Sequence, residues 1–362
     1  MRKSGISENS DRFILFKHYP ELEEKTARIS LGLFPTPIQR LERLGFANLW
    51  IKRDDLSSAV YGGNKIRKLE FILGEAKRRK AAHIITFGGI GTNHGLATAI
   101  FCEKFGLECT LLLFRQPVTA GVKQNLLLFN KFKAQTIYKK TLWKTVVSYY
   151  LLERIKHPGA YFVFAGGSNP EGTIGYVNAA FELKEQIDRG EMPEPKVIIC
   201  PLGSGGTLAG LALGLQLAGL PTGVTGVRVS ESHLGPFQAC TKNTIEKLMK
   251  QTYACLKKRC RRLPDITLRI PAILDNYFGG GYGVPTEAAN KLSRLVKDKE
   301  GIALDITYTS KTFAAVYDYC RQHGKEDGSV LYWHTYNSVD MTVQANSVNY
   351  CTLPKSLQGF IE

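Results

Sequence analysis

The stretch Tyr61-Gly62-Gly63-Asn64-Lys65-Ile66-Arg67-Lys68-Leu69-Glu70 holds a sharp turn, a lysine and the start of an amphipathic run within ten residues. Two glycines let the backbone turn tightly and approach a ligand closely, and a helix then begins with Lys65 in its first turn. The positive end of a helix dipole disfavours a protonated lysine there, so the Lys65 amine is expected to titrate low, as an imine-forming nucleophile requires. Lys68 follows one turn later on the same face, placed to meet a phosphate. On turn chemistry alone the stretch is equally a plain strand-to-helix connector.

Outward from this turn, short β-rich runs alternate with longer helical ones, the pattern of a doubly wound α/β protein. Strands are predicted over 49–53, 83–87, 109–114, 135–138, 161–165, 197–200 and 224–229. Helices are predicted over 65–79, 93–105, 122–132, 142–156, 175–189 and 207–218, where apolar residues recur every three or four positions. At 362 residues, 44% of them hydrophobic, the chain is long enough for two domains. The block 66–166, bounded by Gly62-Gly63 and Gly166-Gly167, reads as a small domain inserted into a larger one formed by 1–65 and 167–362, with the ligand cleft between them.

Two further glycine loops follow predicted strands. In Gly88-Gly89-Ile90-Gly91-Thr92-Asn93-His94-Gly95, consecutive N–H groups at a helix start suit a carboxylate, with Thr92 and Asn93 adding a hydroxyl and an amide. Either residue is also an ordinary N-cap. Gly203-Ser204-Gly205-Gly206-Thr207 precedes an Ala- and Leu-rich run, and its N–H groups with the Ser204 and Thr207 hydroxyls form a cup for one phosphate. Neither a Walker lysine nor a GxGxxG spacing is present, which argues against a nucleotide.

A lysine nucleophile, an anion-binding Thr-Asn loop and a one-phosphate cup together are the parts of a pyridoxal 5'-phosphate (PLP) site. The order and wording of these segments resemble the fold-type II PLP enzymes of the tryptophan-synthase β type. Within that group they are similar to the D-cysteine desulfhydrase and 1-aminocyclopropane-1-carboxylate (ACC) deaminase branch. The resemblance runs from Leu33-Phe34-Pro35-Thr36-Pro37, through Lys52-Arg53-Asp54-Asp55 and the Lys65 turn, to about Thr335. It implies a two-domain α/β fold with open, mainly parallel sheets, and a homodimer.

It also implies roles. Lys65 would carry the cofactor as a Schiff base, Lys68 would hold phosphate, and Asn93 would bond the 3′ oxygen of the cofactor. Thr92, Asn93 and His94 would contact substrate, with Thr92 assisting proton transfer. Tyr282 and Tyr308 match two active-site tyrosines of the branch. Thr309 would face the pyridine nitrogen where the deaminases carry glutamate. That difference, with Thr335 in place of a leucine, implies β-elimination from D-cysteine giving pyruvate, hydrogen sulfide and ammonia, the alternative being deamination of ACC or another small amino acid. An idle PLP-binding protein is the reading from another class. The chain departs from the branch at Gly91-Thr92 (usually Gln-Ser), at Tyr336-Asn337 (usually a glycine pair) and in the tail 338–362, which matches no pattern of the branch.

Lys and Arg number 48 against 32 Asp and Glu, a net charge of +16. Clusters such as Lys77-Arg78-Arg79-Lys80 fall at expected helix ends and no nucleic-acid-binding signature accompanies them, so a nucleic-acid partner is not expected. The eight cysteines form no CxxC pair, which disfavours zinc and points to reduced thiols. Met1 to Phe13 lacks a secretory apolar core and no later stretch reaches the ~20 apolar residues of a membrane span. A soluble, cytoplasmic protein without a membrane partner is expected.

Overall fold

Ser329–His334 is a run of six buried residues, with apolar side chains pointing to both faces, as a strand in the middle of a parallel sheet requires. In the computed structural model, which describes residues 13–234, 237–323 and 328–362, it forms the centre of the larger of two sheets. All but the last residue of the polar stretch Met1 to Phe13 lies outside the described residues.

The strands are β1 (Ile38–Arg40), β2 (Leu49–Arg53), β3 (His83–Gly89), β4 (Glu108–Phe114), β5 (Gln135–Tyr138), β6 (Tyr161–Val163), β7 (Pro195–Leu202) and β8 (Gly223–Arg228). A two-residue ribbon, β9 (His233–Leu234) and β10 (Phe237–Gln238), is followed by β11 (Ala272–Leu274) and β12 (Ser329–His334). The large sheet has the order β1-β2-β12-β7-β8-β11, parallel except for β1. The small sheet, β5-β4-β3-β6, is parallel throughout. All seven predicted strands are present with ends shifted by a few residues. The predicted helix 142–156 is interrupted by a π-helical turn at Ser148–Leu152.

Helices cover both faces of each sheet. Pro170–Asp188 and Gly206–Leu217 bury Val177, Phe181, Leu208 and Leu211 against one face of the large sheet, and Glu287–Glu300 with Thr309–His323 bury Val296, Phe313 and Val316 against the other. The small sheet is covered by Asn93–Lys104 and Ala120–Lys131 on one side and by the 142–156 segment on the other. The tail was expected to extend the large unit, but Met341, Ala345, Leu353 and Leu357 bury into the small-sheet cluster with Leu126 and Phe129. Lys123 Nζ donates to the Ile361 carbonyl at 2.7 Å, anchoring the end of the chain there.

The helix Asn64–Arg78 lies between the two units: Phe71 joins the large-sheet core, while Ile66, Leu69, Ile72 and Leu73 join the small one. A buried ionic network fixes it. Arg67 contacts Asp54 at 2.7 Å and Glu182 at 2.8 Å, and Glu182 also contacts Lys52 at 2.5 Å. Tyr176 and Trp333 each donate to Asp54 at 2.7 Å, so strands β2 and β12 and two helices meet on one pair of carboxylates.

Candidate active site

Strands β3 and β6 of the small sheet and β7 of the large one run into glycine loops, and these ends line a cleft of about 900 Å³. Lys65, Lys68, Thr92, Asn93, His94, Gly203, Ser204, Gly205, Thr207, Tyr282 and Tyr308 all line it, so residues up to 243 positions apart in the sequence come together as one site.

Gly63 turns with φ +90°, and a Cβ there would fall 2.8 Å from the Thr335 carbonyl oxygen, so only glycine fits beneath the Lys65 helix. Asn337 accepts the Gly62 N–H at 2.7 Å and thereby holds this turn in shape. Burial pushes the Lys65 amine down to about 8. Lys68, fully buried, is pushed well below the usual lysine range by burial and then by the charge of Lys65. Its Nζ donates to the Gly166 carbonyl at 3.1 Å and to Ser168 Oγ at 3.4 Å.

Thr92 is the N-cap of its helix, its Oγ1 accepting the Gly95 N–H at 3.2 Å, and it faces the cleft as well. The two readings of this residue are compatible. Asn93 Oδ1 accepts from Asn125 Nδ2 at 3.0 Å, which leaves its amide N–H groups for another acceptor. Both ring nitrogens of buried His94 lack a partner among the described residues, and burial with the nearby Lys65 and Lys68 charges keeps the ring neutral by depressing its pKa strongly.

In the cup, Gly205 has φ +90° and Gly206 packs where a Cβ would lie 2.9 Å from Lys68 Nζ. Gly206 itself is not on the cleft wall, but its N–H donates to Ser168 Oγ at 2.9 Å, and Ser168 also meets Ser204 Oγ at 2.7 Å. Asn64 Nδ2 donates to Thr207 Oγ1 at 3.1 Å. Ser168 is a site residue that the sequence reading passed over. Its signal was present: Gly166-Gly167-Ser168-Asn169 follows β6 as Gly88 to Asn93 follows β3, and Asn169 caps the next helix by accepting the Gly172 N–H at 2.8 Å.

Tyr282 and Tyr308 share a hydrogen bond between their hydroxyls, with ring centroids 5.8 Å apart. Burial raises both above the usual tyrosine value, Tyr282 to about 12, so both hold their protons at neutral pH. Thr309 differs from expectation. It is fully buried and absent from the cleft wall; its Oγ1 donates to Asp305 Oδ1 at 2.7 Å and accepts the Asp305 N–H at 2.7 Å. The reason is local: at the first turn of its helix a threonine and a carboxylate four residues earlier satisfy each other. Asp305 faces the cleft instead. Its carboxylate accepts the N–H groups of Thr307 and Tyr308 at 2.9 Å each, and its charge contributes to the raised values of Tyr61, Tyr282, Tyr308 and Tyr336.

The site fits PLP on its charges and its shape. Lys65 and Lys68 are two buried amines that form no ion pair among the described residues; burial disfavours their charged forms, and a phosphate dianion beside a glycine cup would favour them again. When loaded, Lys65 would hold the aldehyde carbon and Lys68 with the 203–207 loop the phosphate.

Comparison with known proteins agrees. Residues 29–335 match the family described as pyridoxal-phosphate dependent enzymes. A Thermotoga maritima protein provisionally named a 1-aminocyclopropane-1-carboxylate deaminase is 34% identical, the match covering 85% of this chain and 95% of that one. D-cysteine desulfhydrase of Klebsiella pneumoniae strain 342 is 35% identical over 85% of this chain and 93% of its own. A crystal structure of an ACC deaminase homologue superposes with a TM-score of 0.76 at 31% identity, covering 90% of this chain and 96% of that one. With the fold, the lysine turn and the cup all in agreement, the chain belongs to the family of pyridoxal-phosphate dependent enzymes.

Proposed function

We propose that this enzyme is a lyase acting on a small amino acid, with D-cysteine as substrate and pyruvate, hydrogen sulfide and ammonia as products. The observation that carries the reading is a single cleft in which a lysine titrating near 8 sits between a phosphate cup and a pair of protonated tyrosines. Bound PLP supplies an electron sink conjugated to the amino nitrogen of the substrate, which lets a Cα–H bond break as a proton.

The residues of the chain do the rest. With its pKa near 8, the Lys65 amine is partly neutral close to neutral pH and can take up a proton from the Cα of the substrate. Thr92 accepts a backbone N–H with its oxygen, which leaves its own proton to direct at the substrate carboxylate. Of the Tyr282–Tyr308 pair one hydroxyl donates to the other, so one proton is left over to deliver to a departing sulfur.

Thr335 on the cleft wall and the naming of the Klebsiella relative favour the desulfhydrase reading. Deamination of ACC is the second reading, favoured by the solved homologue. The choice of substrate therefore rests on Thr335 more than on Thr309, whose hydroxyl is engaged by Asp305. Assays of D-cysteine, L-cysteine and ACC on the PLP-loaded enzyme, with keto-acid and sulfide detection, test it: sulfide from D-cysteine alone is expected, and keto acid from ACC without sulfide would replace the first reading by the second. A cytoplasmic homodimer goes with this reading on family resemblance, and the mass by light scattering tests the dimer. Among the described residues no helix is long and apolar enough to cross a membrane.

A further inference from the structure

The cleft has two halves of different chemistry. Its inner end is polar, formed by the lysines, the cup and the tyrosines. Its outer end is lined chiefly by apolar and aromatic side chains. There, fully buried Phe87, near the end of β3, has its ring centroid 4.8 Å from that of Tyr149 at a 57° tilt and 5.4 Å from that of Phe164 edge-to-face, and this aromatic group underlies a wall continued by Val146, Trp143 and Tyr150. Trp143 is 57% exposed and Tyr150 46%, and both line the cleft opening. Ile245 and Leu248, from the helix Lys242–Arg259, contribute apolar surface from the large unit, and Glu231 and Lys247 also stand at the opening.

A free cysteine has no group to place in that outer half, because its sulfur is only two bonds from the Cα carbon that must sit over Lys65. A cysteine whose sulfur bears an apolar group does. We infer that the substrate class of this site is S-substituted cysteines with an apolar substituent, which occupies the outer half between Trp143, Tyr150 and Leu248. This rests on the lyase reading above and specifies its substrate. The Cβ–S bond breaks with its electron pair on sulfur, the Cα proton is taken up by the enzyme, and sulfur is protonated. One water is consumed as the three-carbon fragment gives up its nitrogen, so the substituted cysteine and water become thiol, pyruvate and ammonium, with no oxidant or reductant involved.

Burying about 60 Å² of phenyl surface is enough for a tenfold change in affinity. The experiment compares D-cysteine, S-benzyl-D-cysteine and β-chloro-D-alanine on the PLP-loaded enzyme by pyruvate release, and the binding of S-benzyl-D-cysteine and D-alanine by calorimetry. The KM for S-benzyl-D-cysteine is expected about tenfold or more below that for D-cysteine, with the ratio falling toward one in Trp143→Ala and in Tyr150→Ala. An equal or higher KM for the benzyl compound, or a ratio unchanged in both variants, overturns the inference while leaving the lyase reading in place. If none of the three compounds yields pyruvate, it is the lyase reading that fails. Calorimetry then decides the apolar half alone: benzyl-dependent binding lost in both variants supports it, and equal affinity for D-alanine overturns it.

Discussion

Two pairs of buried basic residues, Lys52 with Arg67 and Lys65 with Lys68, meet at one helix, and they are treated in opposite ways. Lys52 and Arg67 are fully enclosed and matched by Glu182 and Asp54, with Tyr176, Trp333 and Gln186 completing the hydrogen bonds. Burial lowers Lys52 as well as Lys65 and Lys68, but at Lys52 the charges of Glu182 and Asp54 oppose the shift, whereas Lys65 and Lys68, on the same helix as Arg67, have no matching carboxylate among the described residues. Compensated charges fix geometry, whereas uncompensated ones bind what compensates them. Arg67 can thus serve as the rigid footing from which Lys65 reaches into the cleft.

Removing Lys65 breaks the comparison on the functional side and has the largest expected effect. Lys65→Met should abolish borohydride-fixed cofactor and lower turnover by about 10⁴-fold, the upper range of a general-base contribution, while the fold survives. Peptide mapping that finds reduced PLP on Lys68 would reassign the nucleophile. The stability of the cofactor-free protein adds an independent reading. A lysine lowered from 10.5 to about 8 binds fewer protons folded than unfolded, so stability rises with pH between about 8 and 10.5 and the full penalty applies below 8. Urea titrations should find apo wild type less stable than apo Lys65→Met at pH 7, by up to about 3 kcal/mol before solvent screening is discounted, with the gap narrowing by pH 9.5.

On the compensated side, Arg67→Met leaves Asp54 and Glu182 facing each other in the core with only Lys52 between them. A loss of about 3–5 kcal/mol is expected, read as a lower urea midpoint with unchanged slope. A loss below 1 kcal/mol would mean that the network is no footing at all.

The contrast also marks what the sequence could disclose. That Lys65, the Thr92 loop and the 203–207 loop line one cleft was legible because each is a short glycine-punctuated word whose chemistry is local. The compensated network was not, because Glu182 lies 115 residues from Arg67 and Trp333 lies 279 from Asp54, and no local pattern links them. Strand β12 was missed as well, and its place between β2 and β7 is set by packing across the sheet and not by any local pattern. Thr309 was misplaced because a motif gives the neighbour of Tyr308 but not the direction of its side chain, which Asp305 decides.

A smaller effect belongs to the cup. In Gly206→Ala the new methyl would fall 2.7 Å from Ser168 Oγ and 2.9 Å from Lys68 Nζ, displacing both from the phosphate position. PLP affinity should fall on the order of 10–100-fold, or about 1.4–2.7 kcal/mol, with little change in the stability of the apo protein. Unchanged affinity by fluorescence titration would put the phosphate elsewhere.

The smallest expected effect concerns Thr92, where a structural and a chemical role share one hydroxyl. Its oxygen caps the helix through the Gly95 N–H and its proton is free for the cleft, so an alanine removes both functions at once. Thr92→Ala is expected to cost about 1 kcal/mol of stability as a lost cap and to lower kcat by at least ~10-fold, short of a full acid–base contribution because Lys65 also moves protons. Two further variants separate the roles. Thr92→Asn keeps a capping oxygen but has no hydroxyl, so stability should recover while kcat stays low. Thr92→Ser keeps both and should behave as wild type within a few-fold. If Thr92→Asn recovers kcat together with stability, the hydroxyl does no chemistry, and Thr92 belongs with Arg67 among the residues that hold the site in place.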